Sequence, residues 1–314
     1  MQKQQLINCH KRIKLYIHYT PVLSSRLINE IAGANLVFKC ENFQKMGAFK
    51  MRGAINAIMQ LSEDKRKKGV VTHSSGNFAQ ALSLAARSLG VKTYIVMPSN
   101  APQGKIDAVK GYGGEVIICK PTLQAREATA KEIEQSKGAT FIHPSNDMEV
   151  ILGQGTAGKE LLEDYPNLDY IFVPVGGGGL VAGTILAAKN FGNNCKVIGG
   201  EPFEVDDAYR SLISGKIESN NSTNTIADGL KTQLGDQNFP IIQEGIERIV
   251  RVTEQEIIES MQLIWERLKI VCEASCAVAL AALLKEKQLF KDKKIGIIIS
   301  GGNVDLSKLP FGNK

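Results

Sequence analysis

The sequence predicts an α/β protein built from two open, twisted, mainly parallel sheets. Short apolar runs rich in β-branched residues alternate with longer helical patterns along most of the chain, and that alternation is the mark of strand–helix–strand crossovers. The length of 314 residues exceeds one ordinary domain of about 150 residues, so two lobes with separate cores are expected. Glycine-rich or small polar clusters follow several of the apolar runs, where a parallel sheet gathers its ligands beyond the carboxyl ends of its strands.

Taken in order, strands are expected over 70–73 (Val-Val-Thr-His), 93–97 (Thr-Tyr-Ile-Val-Met), 116–119 (Val-Ile-Ile-Cys) and 140–143, because each is short, β-branched or aromatic, and bounded by turn or helix signals. Further strands are expected over 170–175, 197–199 and 295–299 on the same grounds. Between them, apolar residues at helical spacing predict crossover helices over 79–89, 126–133, 180–188 and 257–268, most of them ending near glycine or lysine. The uncharged run 170–188 has the length of a membrane span, but Pro174 and four consecutive glycines interrupt it, so a buried strand, a loop and a helix fit better. Residues 218–225, polar and Asn-rich, read as an exposed loop.

Composition excludes several classes. Hydrophobic residues at 43% and charged residues at 22% argue against disorder. The net charge of +6 comes from short basic runs (65–68 and 291–294) that break beside acids, which reads as solvated helix ends and not as a nucleic-acid surface. Six cysteines without a C-x-x-C and four histidines without metal-ligand spacing point to reduced thiols and no zinc centre. The N-terminal apolar stretches are cut by Lys14 and His18, so no export signal is expected and a cytoplasmic location is.

Three junctions carry chemistry. In Val173-Pro174-Val175-Gly176-Gly177-Gly178-Gly179-Leu180 a buried strand runs into glycines and then a helix, so backbone N–H groups can converge on a phosphate; a tight turn would need fewer glycines. Gly177, Gly179 and Ala182 also fit G-x-G-x-x-A with Glu201 near the next strand's end, which keeps a dinucleotide-dependent oxidoreductase as an alternative. Residues 71–79, Val-Thr-His-Ser-Ser-Gly-Asn-Phe-Ala, offer a helix start with two hydroxyls and an amide that suits a carboxylate, or a simple helix cap. In Gly47-Ala48-Phe49-Lys50-Met51-Arg52-Gly53-Ala54, apolar neighbours and a cationic partner such as Arg52 would lower the Lys50 amine pKa, as attack on a carbonyl requires; an ordinary amphipathic helix lysine is the plain alternative.

Together these segments resemble the fold-type II pyridoxal-phosphate enzymes, whose fold is that of the tryptophan synthase β chain, and within them the threonine dehydratase and serine racemase branch. Residues 47–54 resemble the cofactor-lysine signature, Ser74-Ser75-Gly76-Asn77 the substrate loop, Gly176–Gly179 the phosphate loop, and Ser300-Gly301-Gly302-Asn303 the pyridine-nitrogen segment, in family order across nearly the whole chain. The resemblance implies a large lobe from residues 1–67 and 146–314 and a small lobe from 68–145. It implies pyridoxal 5'-phosphate carried on Lys50, with Phe49 packed beside it, Asn77 at the ring's phenolic oxygen, Gly176, Gly177, Gly178 and Gly179 at the phosphate, Ser300 at the pyridine nitrogen, and Leu180 and Gly229 as further cofactor-binding residues. Ser74, Ser75, Asn77, Arg126 and Thr232 would surround the substrate carboxylate, and Ser75 would serve as acid and base on the face opposite Lys50.

Residues 200–207 resemble that branch's divalent-cation segment, with the Glu201 and Asp207 carboxylates and the Val205 carbonyl as hard oxygen ligands for Mg2+, Ca2+ or Mn2+; a solvated acidic helix start is the plain alternative. The implied activity is conversion of L-threonine, L-serine or a relative such as threo-3-hydroxyaspartate to a 2-oxo acid and ammonia, with serine racemisation as the runner-up. A catalytically silent small-molecule binder is the remaining alternative. A homodimer acting on a small amino acid, with no nucleic acid or membrane partner, completes what the resemblance implies. Met46 stands where the signature often has Ser or Thr, and Phe78 where histidine usually follows Ser-Gly-Asn; both bear on substrate choice.

Overall fold

β-branched runs pair into two sheets, and the chain returns to the first sheet after completing the second. The computed structural model describes residues 2–311. The chain opens with α1 (Gln2–Ile13), β1 (Val22–Leu23), α2 (Arg26–Ala32), β2 (Asn35–Cys40), α3 (Lys50–Gln60) and α4 (Glu63–Lys68). Four strands follow with their crossovers: β3 (Val70–His73), α5 (Asn77–Ser88), β4 (Thr93–Pro98), α6 (Gln103–Gly111), β5 (Glu115–Cys119), α7 (Leu123–Lys137) and β6 (Thr140–Phe141). The remainder is α8 (Met148–Asp164), β7 (Tyr170–Pro174), α9 (Gly179–Phe191), β8 (Lys196–Pro202), α10 (Asp207–Ser214), α11 (Phe239–Gly245), β9 (Ile246–Val252), α12 (Glu254–Leu268), α13 (Ala274–Lys285) and β10 (Lys294–Ile299).

The first sheet has the order β1-β2-β10-β7-β8-β9 and the second β5-β4-β3-β6. All pairings are parallel except β1 with β2. The pleat sorts side chains between two layers. Ile171 and Val173 of β7 pack on the side of α8 and α9, whereas Phe172 lies on the side of α13 with Ile297 and Ile299 of β10. In the second sheet Val70, Ile95 and Met97 face α5, while Val71 and Val96 face α7. The first of these clusters runs through both sheets, so their inner layers share one continuous core.

Helix boundaries follow local chemistry. Asp147 caps α8 by accepting from the amides of Glu149 and Val150, Thr122 caps α7, and Thr253 with Glu256 forms a reciprocal capping box at α12. Each strand expected from the sequence is present to within a few residues. β2 and β9 were not expected, because Lys39 interrupts the apolar run of one and Glu247, Arg248 and Arg251 that of the other. In β2 Lys39 is itself buried between Phe38 and Cys40, and in β9 the buried Ile249, Val250 and Val252 outweigh the charged positions. Residues 218–225, expected as an exposed loop, contain no helix or strand and are exposed or half-buried except for Thr225.

Candidate active site

The carboxyl ends of β2, β3, β7 and β10 converge on the cleft between the sheets, and each chemically loaded segment follows one of them. Lys50 opens α3. Although the residue is half-buried as a whole, its amine is enclosed by protein. It donates to the Pro144 carbonyl at 2.9 Å and lies 4.9 Å and 5.7 Å from the ring centroids of Phe49 and Phe78. Burial lowers its pKa to about 8 against the opposing attraction of Glu273. Arg52 plays no part in this: the guanidinium is buried one helical face away, bound to Glu41 and Glu160, so the expected cationic partner is corrected to desolvation alone.

Gly178 adopts the left-handed conformation (φ 79°) that turns the chain from β7 into α9. Gly176 to Gly179 are buried, and among the described residues no backbone acceptor is found for the amides of Gly176, Gly177 or Gly178. Buried unpaired N–H groups at a helix start fit a phosphate, and the Leu180 amide belongs to the same first turn. Side chains would close this space, since a Cβ on Gly177 would fall 3.0 Å from Thr232 Oγ1 and one on Gly176 would fall 3.1 Å from the Gly229 carbonyl. Gly229 and Thr232 therefore stand beside the glycine loop, with the Gly229 amide held by Ser275 Oγ at 3.0 Å.

Across the cleft, Ser74 and Ser75 lie between β3 and α5, both half-buried. The Ser74 hydroxyl accepts from the Gly76 amide at 3.4 Å. Arg126, on α7, has a buried Nε without a partner and faces His73 electrostatically. His73 and His143 meet ring edge to face at 6.2 Å, and the charge of Lys50 acts on His143 in turn. Arg126 is thus joined to the lysine by a short row of rings. Burial first, then His73 and Lys50, lowers the His143 pKa to about 4, and burial followed by Arg126 lowers that of His73.

Ser300, at the end of β10, is buried, and its carbonyl accepts from the Phe49 amide at 3.0 Å, which ties the serine to the lysine turn. A buried acid that no motif announced completes the site. Glu273 accepts from Asn77 Nδ2 at 2.9 and 3.1 Å through its two oxygens. Its only advance signal was a lone acid in the apolar stretch before α13.

The end of β8 and the segment after it carry the acids expected to hold a cation. Glu201 and Asp207 are buried, and burial followed by their mutual repulsion raises the Glu201 pKa well above the carboxylate range. Burial likewise brings Asp207 to about 6, against hydrogen bonds from the Leu234 amide and Asn220. The buried Val205 carbonyl accepts no backbone hydrogen bond among the described residues. Two carboxyl groups whose pKa values burial raises, with a carbonyl that accepts no backbone hydrogen bond among the described residues, are the oxygen ligand types that a hard divalent cation takes. The Glu201 oxygens also accept from the amides of Ala208 and Tyr209 at 3.0 and 2.9 Å.

A family model described as pyridoxal-phosphate dependent enzyme matches residues 13–301. A serine racemase of Dictyostelium discoideum is 54% identical over 306 residues, covering 96% of this chain and 94% of that protein. A beta-hydroxyaspartate dehydratase of Paracoccus denitrificans is 45% identical over 308 residues, covering 98% of both. The crystal structure of a serine racemase from Dictyostelium discoideum superposes with a TM-score of 0.93 at 53% identity, covering 97% of this chain and 99% of that one. With the lysine, the glycine cradle and the closing serine arranged as described, the chain belongs to the pyridoxal-phosphate dependent enzymes, in their fold-type II serine/threonine dehydratase and racemase branch.

Proposed function

We propose that the protein is an ammonia-lyase that converts L-threonine, L-serine or threo-3-hydroxyaspartate to a 2-oxo acid and ammonia, with serine racemisation as a secondary activity. The observation that carries this reading is the desolvated Lys50 amine beside a buried glycine cradle. The cofactor, when bound, supplies a conjugated ring that accepts the electrons of the substrate's Cα–H bond. Gly176 to Gly179 and Leu180 hold its phosphate, Ser300 its pyridine nitrogen and Asn77 its phenolic oxygen. Lys50, released as a free amine, removes the α-proton; a pKa of about 8 keeps a useful neutral fraction near physiological pH. Ser74, Ser75, Asn77, Arg126 and Thr232 orient the carboxylate, and the lobes follow the two sheets, as 1–67 with 146–314 and as 68–145. A homodimer in the cytoplasm is part of the proposal; among the described residues no helix is long and apolar enough to cross a membrane.

The similarity to a racemase supports the second activity. Racemisation needs a proton donor on the face opposite Lys50, and Ser75 is the residue placed in that role. A hydroxyl is a weak acid and base, so dehydration is expected to dominate. Keto-acid formation from L-serine, L-threonine and threo-3-hydroxyaspartate tests the main activity. Ser75→Ala is expected to spare dehydration of L-serine within about 3-fold while lowering D-serine formation by about 10²-fold or more. Equal loss of both would mean that Ser75 chiefly holds the carboxylate and is not the acid and base of the face opposite Lys50.

Glu201, Val205 and Asp207 are proposed to bind Mg2+, Ca2+ or Mn2+. A cation that binds only the folded state stabilises it by mass action, roughly 2.7 kcal/mol at about 100 times its Kd. Chelation is therefore expected to lower the melting temperature and re-addition to restore it, with the response absent in Asp207→Asn. Identical melting of chelated and cation-loaded protein would remove the site.

A further inference from the structure

We propose that Glu273 is a positioning residue for Asn77: it reaches across the cleft to hold the Asn77 amide so that one N–H stays aimed at the cofactor's phenolic oxygen. The inference rests on the reading of Lys50 and Asn77 as cofactor residues.

The hydrogen-bond pattern leaves the amide one orientation. An ionised carboxylate only accepts, so the Asn77 N–H2 must face Glu273, which lies 2.9 and 3.1 Å from Nδ2. On the other side Asn77 Oδ1 accepts from Asn303 Nδ2 at 2.9 Å. The Asn303 amide is itself oriented, because its Nδ2 also donates to the Met46 carbonyl at 2.9 Å. That carbonyl is set by an unusual turn in which Met46 and Gly47 both take positive φ (57° and 79°). A Cβ on Gly47 would fall 2.6 Å from Asn303 Oδ1. Asn77 opens α5 and packs with the second sheet, whereas Glu273, Asn303 and Met46 belong to segments of the first. One donor and two acceptor oxygens thus fix a single amide across the cleft. One Asn77 hydrogen is shared by the two Glu273 oxygens, and the other remains free.

Glu273 also faces Lys50. Burial and then Asp228 raise the pKa of the acid to about 7, opposed by Asn77 and Lys105. Asp228 is itself paired with Lys105 of α6 across the cleft. Cys276 is held protonated by burial, and the pKa of His143, about 4, keeps that ring neutral. Among these groups Glu273 alone raises the Lys50 pKa, so removing its charge moves that pKa down from about 8.

Glu273→Gln and Glu273→Ala are compared with wild type after removal and re-addition of pyridoxal phosphate. The measurements are the cofactor Kd by absorbance titration, the balance of visible and near-ultraviolet bands, the pH midpoint of cofactor capture, and the melting temperature. Glu273→Ala, which leaves Asn77 without its acceptor, is expected to weaken cofactor binding about 10-fold and to shift absorbance toward the near ultraviolet. Glu273→Gln keeps one acceptor oxygen, so it is expected to retain affinity within about 3-fold while moving the capture midpoint to lower pH. Wild-type cofactor affinity and wild-type spectra in the folded Glu273→Ala variant would overturn the inference. A wild-type protein that takes up no pyridoxal phosphate would overturn the reading beneath it as well.

Discussion

Lys50→Ala is expected to lower turnover by about 10⁴-fold or more, because it removes the group that both carries the cofactor and takes the α-proton. The loss should be chemical and not structural. Lys50 stands at the first turn of α3, its one hydrogen bond is to the Pro144 carbonyl, and alanine is a better helix former. The other buried lysines are no substitutes. Lys39 donates to Glu160 at 2.7 Å and to the Thr20 carbonyl at 2.8 Å, and Lys159 donates to Glu163 at 2.6 Å. Both are committed to acids, whereas Lys50 has no such bond among the described residues and is the one that burial lowers to about 8. Borohydride reduction of the holoenzyme should leave the pyridoxyl group on the peptide containing Lys50. An adduct on another lysine, or turnover by Lys50→Ala within about 10-fold of wild type, would sink the assignment.

What could be read in advance divides along physical lines. Strands β3 to β8 and β10 are short apolar runs, and burial on both faces of a parallel sheet makes such runs conspicuous. The glycine loop was legible for a related reason: four adjacent glycines have no use in a simple turn, and the buried amides of Gly176 to Gly178 give them one. Charged side chains were legible only where a motif held them. Arg52 looked like a partner for Lys50 because it lies two residues away, yet on a helix that spacing places the two on different faces. Its real partners, Glu41 and Glu160, are 11 and 108 residues distant, and no local pattern encodes such pairing. Glu273 stayed hidden for the same reason, since its contact with Asn77 spans 196 residues.

The Arg52 cluster carries the second large effect. Arg52 donates to Glu41 at 2.7 and 2.8 Å and to Glu160 at 2.7 and 2.8 Å, and all three side chains are fully buried. Lys39 adds 2.7 Å to Glu160, and His10 of α1 lies 3.0 Å from the same carboxylate. The cluster thereby ties α1, β2, α3 and α8 together just behind the turn that presents Lys50. Removing one member strands a charge without water, which costs about 3–5 kcal/mol in comparable buried pairs. Glu160→Ala, which leaves Lys39 without its acid and Arg52 with Glu41 alone, and Arg52→Met, which leaves Glu41 without its cation, are therefore each expected to destabilise by an amount of that order. The acid side of the stability profile carries the same signature. Burial raises the Glu160 pKa, but Arg52, His10 and Lys39 outweigh it and hold the folded value well below the unfolded value of about 4.3. A depressed carboxylate contributes stability that is complete above the unfolded pKa and is lost as pH falls toward the folded one. Denaturation measured from pH 7 down to pH 3 should show wild type losing stability below about pH 4.5 more steeply than Glu160→Gln. Parallel curves, or a Glu160→Ala variant within about 1 kcal/mol of wild type, would mean that the cluster's desolvation cost cancels its attraction.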